Sequence, residues 1–115
     1  MPPNRTLRIW KGNTITLQFR FRATQTVPFD LTGSEIVFWL AWTGGEIRRT
    51  SNDSGILIAD PTSGLISIPL SAADTRAIPT GTSARYEIER RYNGTETSLI
   101  WGVVDVGEGI NDDAP

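Results

Sequence analysis

Apolar and polar residues alternate along much of this chain with a period of two. From Thr14 to Arg22 every odd position is apolar (Ile15, Leu17, Phe19, Phe21) and every even position polar. That pattern describes a strand with one dry face and one wet face. Ala84 to Tyr92 repeats it, with Tyr86 and Ile88 inward and Arg85, Glu87, Glu89 and Arg91 toward solvent. Opposed charges on such a face pair across strands for roughly 0.2–1 kcal/mol each. Further strands are predicted over Thr6–Trp10, Glu35–Trp42, Glu46–Thr50, Gly55–Ala59, Leu65–Leu70 and Glu96–Val106, where β-branched and aromatic residues run between turn formers. Gly44-Gly45 and Asn93-Gly94 suit tight hairpins, and Asp60-Pro61-Thr62-Ser63-Gly64 contains only turn formers. One segment reads as helical: Ser71–Ile78 opens on an N-cap serine with Asp74 three residues on, and Pro79 stops it.

Seven or eight short strands at intervals of roughly 8–12 residues predict an all-β chain. The expected architecture is an immunoglobulin-like antiparallel β-sandwich with one short helical turn near residues 71–78. Residues 1–107 form one domain in this reading, and 108–115, with Glu108, Asp112 and Asp113, form a flexible acidic tail. Tyr86 is either the tyrosine whose hydroxyl bonds a nearby backbone in many sandwiches or an ordinary core residue.

Two strands break the alternation. In Ile36-Val37-Phe38-Trp39-Leu40-Ala41-Trp42 both faces are apolar, and an antiparallel strand with one wet side would alternate. If Ile36, Phe38, Leu40 and Trp42 fill the core, Val37, Trp39 and Ala41 lie on the far side. The last strand doubles in the same way, with Leu99, Trp101 and Val103 on one face and Ile100, Gly102, Val104 and Val106 on the other. Either the chain's termini or the Ser71–Ile78 turn cover the extra surface, or it is kept for another subunit, where Trp and Arg are favoured anchors. The balance leans to subunit contact, with Val37, Trp39, Ala41, Trp101, Arg20 and Arg22 as candidate interface residues. Ten of the eleven basic residues are Arg, whose planar fork suits interfaces.

Composition narrows the chemistry. The 115 residues include no Cys and no His, which removes disulfides, a Cys nucleophile, a Ser-His-Asp triad and the usual zinc sites. With 11 basic and 13 acidic side chains, the formal charge of -2 disfavours nucleic acid as a partner. No apolar run approaches the roughly 18 residues of a membrane span, and Met1–Lys11 lacks a signal-peptide hydrophobic segment. Glu87 and Glu89 share a face, but a solvated one, so they read as charged exterior rather than as a glycosidase pair. Asn52-Asp53-Ser54-Gly55 and Asp60–Gly64 lack the ligand series of a calcium loop, and Gly107-Glu108-Gly109 lacks the Lys-Ser/Thr of a phosphate loop. Asn93-Gly94-Thr95 and Asn52-Asp53-Ser54 match the glycosylation pattern, which matters only on a secretory route. The expectation is a non-enzymatic protein with no cofactor, no metal and no small-molecule substrate.

A resemblance gives this domain a context. Gly12-Asn13-Thr14, Pro28-Phe29-Asp30-Leu31-Thr32-Gly33 and the apolar strand that follows resemble small β-sandwich modules of tailed bacteriophages. The similarity runs through Asp60–Ile68, Leu70–Thr75 and Tyr86–Glu89 to the strand carrying Leu99, Gly102 and Val106. The group is the N-terminal domain of phage baseplate upper proteins and related tail and neck proteins, over residues 9 to 107. The resemblance implies a virion structural protein made in the host bacterial cytoplasm. It would dock to copies of itself or to other tail, baseplate, neck or capsid subunits, with neither nucleic acid nor membrane as partner. Because a baseplate upper protein continues into a long coiled-coil or receptor-binding region, a stand-alone virion component is the expectation for this length. The alternative from another class is a carbohydrate-binding module for a host-surface glycan. Two aromatic side chains standing in a row on an open sheet face would favour it.

Overall fold

The alternating segments become eight strands in a computed structural model of the chain, which describes residues 3–108. These are β1 (Leu7–Trp10), β2 (Ile15–Arg20), β3 (Glu35–Trp42), β4 (Gly45–Thr50), β5 (Leu57–Asp60), β6 (Leu65–Leu70), β7 (Gly81–Tyr92) and β8 (Thr95–Gly107), with helix α1 (Ala72–Ala77) between β6 and β7. A five-stranded sheet in the order β1-β8-β7-β3-β4 faces a three-stranded sheet in the order β2-β6-β5. This is an immunoglobulin-like β-sandwich, with β4 extending the larger sheet as in variable-type domains.

One pairing departs from the expected antiparallel scheme. β1 runs parallel to β8, from Leu7 opposite Val104 to Trp10 opposite Gly107. The two strands come from opposite ends of the chain, so no hairpin turn imposes a direction on them. The β7–β8 hairpin, by contrast, closes at Asn93 and Gly94, whose φ values of 53° and 79° are the two positive angles of a type I′ turn.

The sheets meet over the inward residues of the alternating strands. Ile36, Phe38, Leu40, Ile66, Ile68 and Ile88 are fully buried. At the centre the Tyr86 ring on β7 lies 6.3 Å from Phe19 on β2 and 6.4 Å from Phe38 on β3, within the range of productive aromatic pairing. Antibody domains place an inter-sheet disulfide and a tryptophan in this region. Here three rings from three strands perform that cross-sheet packing. Leu31, in the loop before β3, is also fully buried and plugs the core.

The Tyr86 hydroxyl donates a 2.6 Å hydrogen bond to the Arg5 carbonyl, 81 positions away. Its partner is therefore a backbone group at the other end of the sequence rather than a nearby one. The same N-terminal stretch is stitched to β8, where Arg5 N–H donates to the Trp101 carbonyl at 3.0 Å and Trp101 N–H to the Pro3 carbonyl at 3.2 Å. Gly102 makes this approach possible, because a β-carbon there would run into the Arg5 carbonyl.

Helix α1 forms where expected and is held at both ends of its first turn. Ser71 Oγ accepts from Asp74 N–H at 3.0 Å, and the Asp74 carboxylate accepts from Ser71 N–H at 2.9 Å, a complete capping box. The buried Thr75 hydroxyl accepts from Gly12 N–H at 3.0 Å and donates to the Asn13 carbonyl at 2.8 Å. Asp74 also pairs with Arg49 of β4 at 2.9 Å. The helix thus ties the β1–β2 turn and β4 together at one end of the sandwich. Burial opposes ionisation of Asp74, but the Ser71 backbone bond and the Arg49 guanidinium outweigh it and hold its carboxyl below the ordinary value of 3.8.

Tyr86→Phe keeps the ring and removes the bond to Arg5, so it is expected to cost about 1 kcal/mol. Hydrogen exchange at the amide of Arg5 is expected to rise in the same variant, which separates release of the N-terminal stretch from global loosening. A depressed carboxyl stabilises the fold above its unfolded pKa, and that contribution disappears as pH falls through the folded value. Asp74→Asn is therefore expected to lower stability at pH 7 by about 1 kcal/mol, a deficit that closes below about pH 4 in urea titrations.

Candidate functional site

The inward residues of the five-stranded sheet are spent on the core, so the side chains that this sheet offers to solvent are those of its outer face. Phe38 and Leu40 on β3, Tyr86 and Ile88 on β7, and Ile47 on β4 all belong to the core cluster. The alternation therefore turns Trp39, Ala41, Arg85, Glu87, Glu46 and Arg48 outward. Register places these side chains in two cross-strand rows. Trp101, Glu87, Trp39 and Arg48 are consecutive partners from β8 to β4. One step along the strands, Val103, Arg85, Ala41 and Glu46 form the second row. Trp39, Ala41, Trp101, Arg85 and Glu87 line an open depression of about 510 Å³.

The electrostatics of this face divide into two parts. Toward the β7–β8 hairpin, Arg91 is consumed within the chain, 2.8 Å from Glu89 and 3.2 Å from Glu96. The bond to Glu89 raises its pKa above the ordinary value. At the other end Arg8 on β1 lies 3.4 Å from Asp105 on β8. Between them, Arg85, Glu87, Glu46 and Arg48 make no ion pair among the described residues. Glu87 accepts from the Ser98 hydroxyl. Trp39 is bracketed by guanidinium groups, with Arg48 5.6 Å and Arg91 5.7 Å from its ring centroid.

The six candidate interface residues do not all gather here. Trp39 and Trp101 are half-buried and Ala41 is exposed, all on the one face. Val37 has the same outward parity but is 0% exposed and lies outside the central core cluster, so it offers no docking surface. Its strand partners are Thr50 and Glu89, and beside it Thr50 Oγ1 donates to Glu35 at 3.1 Å while Ile36 N–H donates to Ser51 Oγ at 3.0 Å, closing the chain over that end. Arg20 and Arg22 are exposed but lie at the end of β2 and just past it, in the opposite sheet, so they are separated from the tryptophans by the core. Leu99 also leaves its expected face. A register shift between Ile88 and Glu89 inserts an extra residue into β8, and Leu99 and Ile100 both enter the core.

Sequence reasoning missed Trp10. It is 57% exposed and stands on the outward side of β1, since Leu7 and Ile9 point into the core. The alternation in Leu7-Arg8-Ile9-Trp10 carried that signal, although four residues are too few to show which sheet receives them. Three of the four tryptophans thus belong to one sheet face. The acidic tail expected over 108–115 lies, beyond Glu108, outside the described residues. Glu108 itself accepts from the Thr80 hydroxyl at 2.8 Å. Among the described residues no three His, Cys, Asp or Glu side chains group as metal ligands, and no helix is long and apolar enough to cross a membrane.

No protein-family model matches the chain, and no curated protein matches it. Among solved structures it is similar to one from a photo-crosslinking analysis of multimeric cell-adhesive interactions of VGSC beta subunits. The match covers 90% of this chain and 92% of that one, with a TM-score of 0.52 and 17% sequence identity. That likeness concerns the fold, and it agrees with the immunoglobulin-like sandwich described above.

The contrast between Val37 and Ala41 is open to a matched test. Val37→Ser is expected to cost about 2–3 kcal/mol in urea unfolding, through a cavity and a buried hydroxyl. Ala41→Ser, on the same strand face, is expected to stay within about 0.5 kcal/mol of the parent.

Proposed function

We propose that this protein is a non-enzymatic structural component of a tailed-phage virion, which docks to other subunits through the outer face of its five-stranded sheet. The observation that carries the docking part is the row containing Trp101 and Trp39. Both indoles are only half-buried, and of the charged residues around them Arg91 is paired with Glu89 and Glu96, whereas Arg85, Glu87, Glu46 and Arg48 have no ion-pair partner among the described residues of their own chain. Partly exposed tryptophan with adjacent arginine is the composition of interface anchors. The virion context is supported by the turn-and-core signatures. Asp30 accepts from the Thr32 hydroxyl at 2.6 Å and its N–H at 2.9 Å to turn the chain, and Leu31 plugs the core. The multimeric interactions of the VGSC beta subunits are a parallel in kind for a sandwich working by association.

A second reading, a carbohydrate-binding module, is favoured by the same row. Trp39 and Trp101 stand on one open sheet face two strands apart, about 10 Å by strand spacing, and Glu87 between them offers a hydrogen-bond acceptor. Against it, the guanidinium groups of Arg48 and Arg91 already lie against the Trp39 ring, which a stacked sugar would need.

Immuno-electron microscopy of purified virions with antibody to the chain is expected to label one repeated position on the particle. Trp39→Ser with Trp101→Ser is expected to cut incorporation at least about tenfold while the circular dichroism spectrum stays that of a folded sandwich. Unlabelled particles overturn the virion reading. A tryptophan fluorescence shift with sugars, combined with glycan-array binding, replaces it with the carbohydrate reading.

A further inference from the structure

The two outer-face rows carry a charge pattern that is complementary to itself, and we infer that the partner on this face is a second copy of the same chain. The inference rests on the docking reading and names its occupant. On either side of β3 the charges form a two-by-two checkerboard, with Arg85 and Glu87 successive outward residues of β7, and Glu46 and Arg48 those of β4. A two-fold axis lying in the face and crossing β3 at right angles, between the rows, lays each row on the other row of the partner. Arg85 then meets the partner's Glu87, and Arg48 meets the partner's Glu46.

The apolar positions complement one another under the same operation. Trp39 faces the partner's Ala41, and Trp101 faces the partner's Val103, so each large side chain meets a smaller one. An in-plane axis running along β3 would also match charges, setting Arg85 against the partner's Glu46. It would, however, stack Trp39 on Trp39 and leave Ala41 facing Ala41 across a gap, which close packing disfavours. The crossing axis is the one that satisfies shape and charge together. A two-fold interface uses the same patch on both subunits, so each complementary contact occurs twice. Sheet twist of about 20–25° per strand limits such register to the neighbourhood of the axis. All four charges sit on the strands flanking β3, within one strand spacing of it. None of the four has an ion-pair partner among the described residues. Arg85 is held by the Thr82 and Ala84 carbonyls, Glu87 by the Ser98 hydroxyl and Arg48 over the Trp39 ring, contacts that pairing with the second copy exchanges for ion pairs.

Sedimentation equilibrium of the full chain tests the pairing. The parent protein is expected to reach twice its 12.7 kDa chain mass at about 100 µM, and to dissociate as salt is raised. Arg85→Glu sets two carboxylates against each other at both symmetric contacts, and Glu87→Arg sets two guanidinium groups. Each variant alone is expected to weaken self-association at least about a hundredfold. Mixing the two variants restores a carboxylate-to-guanidinium contact at both symmetric positions under the crossing axis. A one-to-one heterodimer is therefore expected, and its formation shows that both variants are folded. Under the axis along β3 the mixture stays unpaired, because the carboxylate introduced by Arg85→Glu would still face the partner's unchanged Glu46. A parent chain that remains monomeric, single variants that still dimerise, or a mixture that fails to pair each overturns the inference. Docking to other virion subunits is judged separately, by incorporation of the Trp39 and Trp101 variants into particles.

Discussion

The two sheets are joined without a single cysteine, so their union depends on apolar contact at the centre, where the rings of Phe19, Tyr86 and Phe38 meet. A sandwich held this way gains its stability from area removed from water and from dispersion in a tightly filled interior. It therefore needs strands that present an unbroken dry face. β2 and the 84–88 stretch of β7 supply one by strict alternation, and β3 supplies one while remaining apolar on its other side. Tyr86 adds a second attachment, since its ring belongs to the inter-sheet contact and its hydroxyl reaches the backbone of Arg5. The centre of the core and the path of the N-terminal stretch are thus coupled through one side chain.

That arrangement determines what remains outside. Alternation assigns the outer face of β7 to Arg85, Glu87, Glu89 and Arg91, but the fate of each charge is set by its neighbours. Arg91 and Glu89 satisfy each other beside Glu96, whereas Arg85 and Glu87 lie beside Val103, Ala41, Trp101 and Trp39. Arg85 donates to the Thr82 and Ala84 carbonyls and Glu87 accepts from the Ser98 hydroxyl, so each charge is hydrogen-bonded yet has no opposite charge beside it among the described residues. The same geometry separates Val37 from Trp39. They are successive residues of one strand face, yet Val37 is enclosed by the chain around Thr50 and Ser51 while Trp39 sits where arginine side chains reach over it.

Much of the fold was legible in the residues themselves. β3 and β6 have the predicted bounds Glu35–Trp42 and Leu65–Leu70, the Asn93-Gly94 hairpin has the positive φ values that its dipeptide favours, and Ser71 with Asp74 forms the anticipated capping box. Leu31 enters the core from the loop Asp30-Leu31-Thr32-Gly33, where Asp30 accepts from the Thr32 N–H to make the turn. That Trp39, Ala41 and Trp101 lie on the face away from the core was legible in the doubled apolar pattern of β3 and β8. Trp10 was less visible, for its strand is short and its alternation weak. Arg20 and Arg22 were misplaced because a strand's pattern says which face is wet without saying which sheet it joins.

The division follows the range of the forces involved. Period, turn type and helix capping are determined by sterics and hydrogen bonds among residues a few positions apart, and a linear reading contains all of them. The parallel seating of β1 on β8, the bulge that draws Leu99 inside, the burial of Val37 and the meeting of two charged rows beside Trp39 involve residues far apart in the chain. Only the packed structure decides these, because which strands become neighbours depends on how all the dry faces are covered at once.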